Sequence, residues 1–211
     1  MPTHLNRLIH SASFRFFTVL VTFLSLLTFM SEGFAVDVTS ITAQWQSPLG
    51  SSGAPTCVSV NNASSTVEVR FGDDDLTNPP CPATNVQSGL GFTAGATGTF
   101  TNGTPFVLGE LIHFNNQVFA SSLLVDATLN LSFASTLPVL PPISTEVILD
   151  ETANNLSICP YGGSSPCSDR ITIAPSAVLF SDNGLNYQLE ILGLIPGTAG
   201  TCTYSQSALS L

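Results

Sequence analysis

GELIHFNNQVFASSLLVDATLNLSF, residues 109–133, is the stretch that decides the fold class, because two runs of alternating apolar residues meet within it. In the first run, residues 106–114, every second side chain is apolar apart from Glu110. In the second run, residues 123–133, every second side chain is apolar. Alternation with a period of two is typical of half-buried β-strands. We therefore predict two strands joined by a short polar link, in which Asn115 and Asn116 suit a tight reversal.

Short runs with the same alternation recur along the chain and are separated by turn-forming residues. Asn183-Gly184 lies between two of these runs and is a strong hairpin signal, since both residues tolerate a positive φ. No run after residue 35 has the pattern of an amphipathic helix. These features predict an all-β fold, a β-sandwich for which a jelly-roll arrangement is one candidate topology. Further strands are predicted at residues 41–46, 66–71, 145–151, 170–174, 177–181 and 185–193.

Composition predicts where the loops lie. Residues 47–56 are rich in Gly, Ser and Pro, and residues 95–105 are rich in Gly and Thr, so both segments are predicted as loops. Three prolines in residues 137–144 argue against a central strand and predict a connection on the surface. Trp45 is the only tryptophan, and we predict that it packs in the core rather than against a ligand.

The first 35 residues have the pattern of a secretory signal peptide. Arg7 and Arg15 precede an uncharged apolar run at residues 16–30, and small residues occupy the positions before Val36 that a signal peptidase recognises. We expect cleavage after Ala35, which leaves residues 36–211 as a single extracellular domain. Retention of the segment as a membrane anchor is the alternative, but the apolar run is shorter than the roughly 20 residues that span a bilayer.

The charge of the chain argues against two classes of partner. Lysine is absent, and of the 14 acids only Glu32 lies in the first 35 residues, so 13 acids face Arg70 and Arg170 in the remainder. The net charge of residues 36–211 is therefore near −11. Such a field repels phosphate backbones and anionic lipid, so we expect no nucleic-acid partner and no membrane adhesion.

Five cysteines, all after residue 35, are consistent with export to an oxidising compartment. Cys159 and Cys167 bracket a turn-rich loop, and we predict that they pair. Cys57 with Cys81 is the next choice, which leaves Cys202 unpaired. A zinc site is the competing interpretation, but the chain lacks the CxxC spacing and has a single histidine, His113, beyond its N-terminal segment.

Several short motifs, in their order along the chain, give it a resemblance to a known family. A Leu108-Gly109 step precedes His113 and Asn115, and the other pieces are VEVRFG at residues 67–72, SGLGF at 88–92, ETAN at 151–154, DRITI at 169–173 and NYQLEILGL at 186–194. Together they resemble the choice-of-anchor K domain, also met as the THxN family of bacterial surface proteins. Ile112 stands where that family has threonine, and ETAN replaces an ETPN-like step.

The resemblance implies an extracellular β-domain that is joined to varying anchors and has no enzymatic activity. The family positions in this chain are Gly109, His113, Asn115, Glu151 and Asn154. For His113 and Asn115 we predict a structural role, hydrogen bonding to backbone groups at a turn, because no second histidine or positioned base accompanies them. Residues 201–211 lack the sorting signals that usually follow such domains, so we expect the protein to be released or held non-covalently.

Catalytic and metal-binding patterns are weak in this sequence. His113 is the sole candidate base for a Ser-His-Asp triad, and no G-x-S-x-G motif accompanies it. Asp73, Asp74 and Asp75 offer oxygen ligands to Ca²⁺, but an exposed acidic turn is the simpler interpretation. We therefore expect no catalytic residues and no cofactor, with Ca²⁺ as the one ion that the sequence leaves open.

The function expected from these observations is non-enzymatic. We expect a secreted or cell-surface domain of a bacterium with a structural or adhesive role in the envelope or extracellular matrix. Its partner would be an extracellular macromolecule, either a matrix or surface protein or a glycan. The alternative is a recognition module that binds carbohydrate or Ca²⁺, and a secreted hydrolase is the third choice. No membrane span is expected after cleavage of the signal.

Overall fold

The computed structural model describes residues 35–50, 57–72, 81, 86–116, 124–136, 138–153, 156–162 and 167–195. Residues 1–34 of the predicted signal peptide and Cys202 lie outside these ranges. The chain divides into two compact units, Met1–Ala35 with Thr101–Thr104 and Val36–Phe100 with Pro105–Leu211. The strands belong to the second unit, apart from Ala35 and Thr101 at the ends of two of them.

The described residues form β-strands and no α-helix, which confirms the predicted all-β fold. In these ranges there is also no helix with the length and apolar character needed to cross a membrane. The strands are β1 (Ala35–Gly50), β2 (Ser59–Asn61), β3 (Thr66–Phe71), β4 (Ser88–Ala94), β5 (Gly98–Thr101), β6 (Gly109–Phe114), β7 (Leu124–Ser135), β8 (Ile143–Asp150), β9 (Arg170–Ile173), β10 (Ser176–Asp182) and β11 (Leu185–Ile191).

The strands form two larger sheets and one hairpin in a sandwich-like arrangement. The order in the five-stranded sheet is β5-β1-β7-β8-β9, and the order in the four-stranded sheet is β2-β3-β4-β6. Strands β10 and β11 form a separate two-stranded sheet. Each strand pair with a described register is antiparallel. This architecture allows each sheet one buried and one solvated face.

The hydrophobic core lies between the inner faces of the two larger sheets. In β8, the alternate residues Ile143, Thr145, Val147 and Leu149 are buried, while those between them are more exposed. This is the alternation that a strand with one wet face requires. Trp45 is 1% exposed, so its predicted core position is confirmed. The core consists of Trp45, Val67, Val69, Phe71, Leu90, Phe92, Leu124, Ala127, Leu129, Leu131, Ile143, Val147 and Leu149.

The two strands of the central stretch lie in different sheets. Strand β6 belongs to the four-stranded sheet and β7 to the five-stranded sheet, so the chain changes sheets between Phe114 and Leu124. The predicted alternation holds from Ala127 to Leu131, but Leu124 is buried rather than its predicted neighbour Val125. The reason is an irregular register opposite residues 46–50 of β1, which moves the buried set by one residue.

Several loop predictions are wrong in part. Strand β1 continues to Gly50, β5 occupies part of residues 95–105, and β8 begins at Ile143 within the proline-rich segment. Leu140 is buried, although the prolines around it predict a surface connection. The hydroxyl oxygen of Ser135 accepts a hydrogen bond from the backbone N–H of Leu140 at 3.0 Å, which satisfies a polar group that burial would otherwise leave unpaired.

The predicted hairpin is confirmed. Strands β10 and β11 pair from Ser176 with Ile191 to Asp182 with Leu185. The two residues between them, Asn183 and Gly184, have φ values of 49° and 80°. A two-residue turn of this kind matches the twist of the strands that it joins.

Both predicted disulfides are present. Cys57 is bonded to Cys81 across a sequence separation of 24, and Cys159 to Cys167 across a separation of 8. Disulfides form and persist in oxidising compartments, so the two bonds are compatible with an extracellular location.

Candidate functional site

Strand register places two polar side chains on the inner face of the four-stranded sheet, at one end of it. Leu90 of β4 pairs with His113 of β6, and residues that pair directly across a sheet share a face. Because Leu90 is in the core, His113 also points inward. Ser88 lies two residues before Leu90 and shares that face, and it is 0% exposed. The inner face of β6 thus carries Leu111 and His113 rather than Ile112.

Two carboxylates meet these side chains from the facing sheet. The buried alternation of β8 includes Leu149, so the next inward position is Glu151, directly after the strand. Asp150 pairs with Arg170 across β8 and β9. The pair of positions beyond them, Glu151 and Asp169, is therefore directed inward, while Asp150 and Arg170 are directed outward. This alternation explains how adjacent acids in the sequence reach opposite faces of one sheet.

Glu151 connects the two sheets through its carboxylate. Its Oε1 lies 3.4 Å from Nε2 of His113 and accepts a hydrogen bond from the hydroxyl of Ser88 at 2.8 Å. The Ser88 hydroxyl is also 2.8 Å from the carbonyl oxygen of Phe114. The side chains of His113 and Glu151 are 18% and 8% exposed. His113 therefore contacts a carboxylate of the facing sheet, while its predicted hydrogen bonds to backbone groups at a turn stay a prediction.

Asp169 is held beside this pair with only one of its two oxygens satisfied. Its Oδ1 accepts hydrogen bonds from the backbone N–H of Thr152 at 2.7 Å and from the Thr152 hydroxyl at 3.1 Å. Its Oδ2 is buried and has no hydrogen-bond partner among the described residues. Burial raises the pKa of the Asp169 carboxyl, the backbone hydrogen bond from Thr152 opposes this rise, and the neighbouring charge of Glu151 adds to it.

The three titratable residues have the identities and the spacing of metal ligands. One ligand atom each of His113, Glu151 and Asp169 can be chosen so that all lie within 4.8 Å of one another. We call these three residues the inter-sheet cluster. Imidazole nitrogens and carboxylate oxygens both bind divalent metal ions. Neither the cluster nor a metal at this place was predicted from the sequence patterns.

The geometry around Ser88 differs from that of a Ser-His-Asp triad. In a triad the histidine lies between the serine and the acid, so that the imidazole removes the proton of the attacking hydroxyl. Here the carboxylate of Glu151 lies between Ser88 and His113. The hydroxyl of Ser88 is fully buried and directed at two acceptors. In this arrangement His113 is not positioned to activate Ser88.

The other predicted site residues have different positions. Gly109 packs under the ring of Phe92, where a Cβ atom would come within 2.3 Å of the ring, so this family position requires glycine for close approach. Asn115 is exposed, and it is Asn116 that donates a side-chain hydrogen bond, to the carbonyl oxygen of Gln87 at 2.7 Å. Asn154, Asp73, Asp74 and Asp75 lie outside the described residues.

The outer face of the four-stranded sheet buries an arginine. The guanidinium of Arg70 lies 3.2 Å from the ring centroid of Phe114, and its Nε donates a hydrogen bond to Glu68 at 2.9 Å. Its Nη1 donates to the carbonyl oxygen of Gln87 at 3.3 Å. Gly89 leaves room for this side chain, because a Cβ there would come within 2.8 Å of the Arg70 Cδ. Residues of the VEVRFG and SGLGF motifs therefore fit together by packing.

The outer face of the five-stranded sheet carries a second arginine. Nη2 of Arg170 donates to Oδ2 of Asp150 at 3.3 Å, and the same oxygen accepts a hydrogen bond from the Tyr161 hydroxyl. The guanidinium lies 4.6 Å from the ring centroid of Tyr161. The hydrogen bond to Asp150 raises the pKa of Tyr161. Tyr161 lies between the disulfide-bonded Cys159 and Cys167, so this contact attaches the loop to the sheet.

Ser88 and Asp169 are the site residues that sequence reasoning missed. Both belong to motifs that carried the resemblance, SGLGF and DRITI, but neither was assigned a role. The available signal was the alternation of side chains along a strand. Asp169 lies two residues before Ile171, so it shares the core-facing side with that residue. An acid at a core-facing position is a candidate for a polar site.

No protein-family model matches the chain, and no curated protein matches it either.

Proposed function

We propose that this chain is a non-enzymatic, secreted or cell-surface domain of a bacterium, of the choice-of-anchor K type, with a structural or adhesive role in the envelope or extracellular matrix. The sequence pieces that carry the resemblance support the assignment, because they depend on one another in space. His113, Glu151 and Ser88 come from three of these pieces. Oε1 of Glu151 contacts both His113 and Ser88. This contact is the observation that carries the proposal.

The physical role of that contact favours a structural function. Glu151 is attached to the end of β8, and its partners are attached to β6 and β4 of the other sheet. If the Glu151 carboxylate is removed, its buried partners on the facing sheet lose a hydrogen-bond acceptor. Such a loss lowers the free energy of unfolding by about 1 to 3 kcal/mol. The motif therefore fixes how the two sheets meet, which is what a scaffold for adhesion needs.

Two observations favour this role over a secreted hydrolase. The order serine, carboxylate, histidine places the carboxylate of Glu151, and not the imidazole of His113, against the Ser88 hydroxyl. The same hydroxyl is fully buried, so a substrate would have no access to it without opening of the sandwich.

The test uses purified residues 36–211 in two assays. Fluorescently labelled protein should bind to cells or extracellular matrix of the bacterium that produces it, and should not hydrolyse panels of ester, peptide and glycoside substrates. Heat-denatured protein is the control for non-specific adhesion. Hydrolysis that His113→Ala abolishes would contradict the proposal, and so would the absence of binding to both cells and matrix.

A thermal-shift screen separates this function from that of a recognition module. A ligand that binds only the folded state raises Tm by mass action, whereas a purely structural domain does not respond to glycans or Ca²⁺. A reproducible rise with Ca²⁺ that Asp74→Asn abolishes would favour the recognition module. A rise with a defined glycan would identify carbohydrate as the partner.

A further inference from the structure

The inter-sheet cluster places two carboxyl groups beside one imidazole, with no lysine or arginine side chain among its members. The Glu151 side chain is 8% exposed, and Oδ2 of Asp169 is buried without a hydrogen-bond partner in the described part of the chain. Buried charges in proteins are normally paired or bound to metal ions. Within the cluster, two carboxyl groups therefore lie beside a single imidazole and no lysine or arginine side chain.

No other side chain of the domain is available to balance them. Lysine is absent from the chain, and only Arg70 and Arg170 follow residue 35. Arg70 is paired with Glu68 on the outer face of one sheet, and Arg170 with Asp150 on the outer face of the other. The balancing charge must come from protons on the carboxyl groups or from an ion that the protein binds.

The distances in the cluster favour a bound ion. The separation of 3.4 Å between Nε2 of His113 and Oε1 of Glu151 is longer than the roughly 2.7 to 3.2 Å of a good hydrogen bond. It agrees with the spacing of about 3.3 Å between two ligands of a tetrahedral Zn²⁺ whose bonds are about 2.0 to 2.1 Å long. Asp169 offers a carboxylate oxygen within 4.8 Å of a ligand atom of each of the other two residues, so the cluster supplies a set of three ligands.

Hydrogen bonds from outside the cluster orient the carboxylates. Thr152 occupies Oδ1 of Asp169 with two hydrogen bonds, which leaves Oδ2 as the free oxygen. The Ser88 hydroxyl fixes Oε1 of Glu151 at 2.8 Å. Ligating carboxylates in metal sites are usually held by such outer hydrogen bonds.

We propose that His113 Nε2, a carboxylate oxygen of Glu151 and Oδ2 of Asp169 bind a divalent first-row transition metal ion, for which Zn²⁺ is the probe. An imidazole ligand favours such an ion over Ca²⁺ or Mg²⁺, which prefer oxygen ligands alone. Three protein ligands leave a fourth position for water. Because His113 belongs to one sheet and the two acids to the other, the ion joins the sheets at their common end.

The experiment is a metal titration of residues 36–211 without an affinity tag, in a Cys202→Ala background that removes the fifth cysteine as a competing ligand. After treatment with a chelator and its removal, Zn²⁺ at about one hundred times its Kd should raise Tm by roughly 5 to 10 °C. Calorimetry should give one ion per chain. X-ray absorption at the zinc edge should show nitrogen and oxygen neighbours and no sulfur.

Variants locate the site. Asp169→Asn keeps the oxygen that Thr152 binds and removes the free one, so it should fold in chelator and weaken Zn²⁺ binding at least tenfold. Glu151→Gln should also weaken binding. Asp150→Asn is the matched control, since this neighbouring acid is directed to the outer face, and it should leave the Kd of Zn²⁺ unchanged.

Three results would overturn the proposal. One is the absence of a Zn²⁺ response in the parent protein, which would indicate that protons balance the cluster. Another is a response that persists in both Asp169→Asn and Glu151→Gln, which would place the ion elsewhere. The third is a response to Ca²⁺ as large as that to Zn²⁺ and equally sensitive to Asp169→Asn, which would exclude a site selective for transition metals.

Discussion

The indole Nε1 of Trp45 donates a hydrogen bond to the carbonyl oxygen of Val67 at 3.1 Å, and the two residues belong to different sheets. Both are in the core, and Trp45 is 1% exposed. The only tryptophan therefore combines packing with a buried polar link between the sheets. A buried carbonyl oxygen that loses its donor has no water to replace it.

Trp45→Phe should lower the free energy of unfolding by at least about 1 to 3 kcal/mol, because the donor to Val67 is lost and a smaller aromatic ring fills the site. Urea unfolding followed by circular dichroism measures the change, since the variant has no tryptophan fluorescence. Phe71→Leu is the control, as it shrinks a fully buried side chain and removes no hydrogen bond. A smaller loss in Trp45→Phe than in the control would contradict a stabilising role for the indole N–H.

His113→Ala should destabilise the metal-free protein by about 1 to 3 kcal/mol, because the carboxylate of Glu151 loses its contact with the imidazole. The Glu151 side chain is only 8% exposed, so water replaces that contact poorly. Unfolding in chelator measures this effect apart from any bound ion. Binding of the surviving folded protein to cells or matrix should be unchanged. Full stability combined with lost adhesion would place His113 in a binding site instead of between the sheets.

Arg70→Lys should cost about 1 to 3 kcal/mol, because an ammonium group cannot reproduce both the hydrogen bonds and the stacking on Phe114. The same substitution at Arg170, whose side chain is 59% exposed, should change stability by less than about 0.5 kcal/mol. Chemical denaturation of the two variants in parallel is the measurement. Equal losses at both positions would show that the buried stack contributes nothing specific.

Removal of the two disulfides should have unequal effects. For the separations of 24 and 8 residues, the loop-entropy relation gives about 3.5 kcal/mol for Cys57–Cys81 and about 2.5 kcal/mol for Cys159–Cys167. Double alanine variants and urea unfolding measure both values. Non-reducing peptide mapping of the secreted protein should recover the same two pairs. Five free thiols in protein collected from the medium would contradict the pairing.

Tyr161 should titrate at a higher pH than a free tyrosine, because its hydroxyl donates to the Asp150 carboxylate. Since the folded state has the higher pKa, this contact stabilises the fold below pH 10 and is lost as the pH rises through the folded pKa. Asp150→Asn should bring the pKa of Tyr161 back toward its usual value. NMR titration of ring-labelled tyrosine follows this residue alone, and an unshifted Tyr161 in the parent protein would exclude the contact.

Local patterns were sufficient to predict the fold class, the hairpin and the disulfides. The Asn183-Gly184 turn and the short loop between Cys159 and Cys167 need only residues that are near in sequence, so periodicity and spacing predict them. The strand at Gly98–Thr101 was missed because its glycine and threonines are equally typical of a loop. Its strand conformation depends on a place at the edge of the five-stranded sheet.

The inter-sheet cluster cannot be predicted from local sequence patterns. Glu151 and His113 are 38 residues apart, and their contact depends on which sheet each strand joins. The resemblance identified both as family positions, but the sequence did not indicate that they contact each other. Strand order decides which residues face each other. The alternation of side chains along the strands directs Asp169 into the cluster and Asp150 to the outer face.

The positions of the two arginines also determine where a trypsin-like protease can cleave this chain. Beyond residue 35, a trypsin-like protease has only the bonds after Arg70 and Arg170 to attack. Arg70 is 8% exposed and lies in β3, between two neighbouring strands, so cleavage there requires opening of the sheet. Arg170 begins an edge strand beside a disulfide, and is the more accessible of the two. Folding therefore protects one of these two cleavage points and leaves the other as the site where such a protease would cut first.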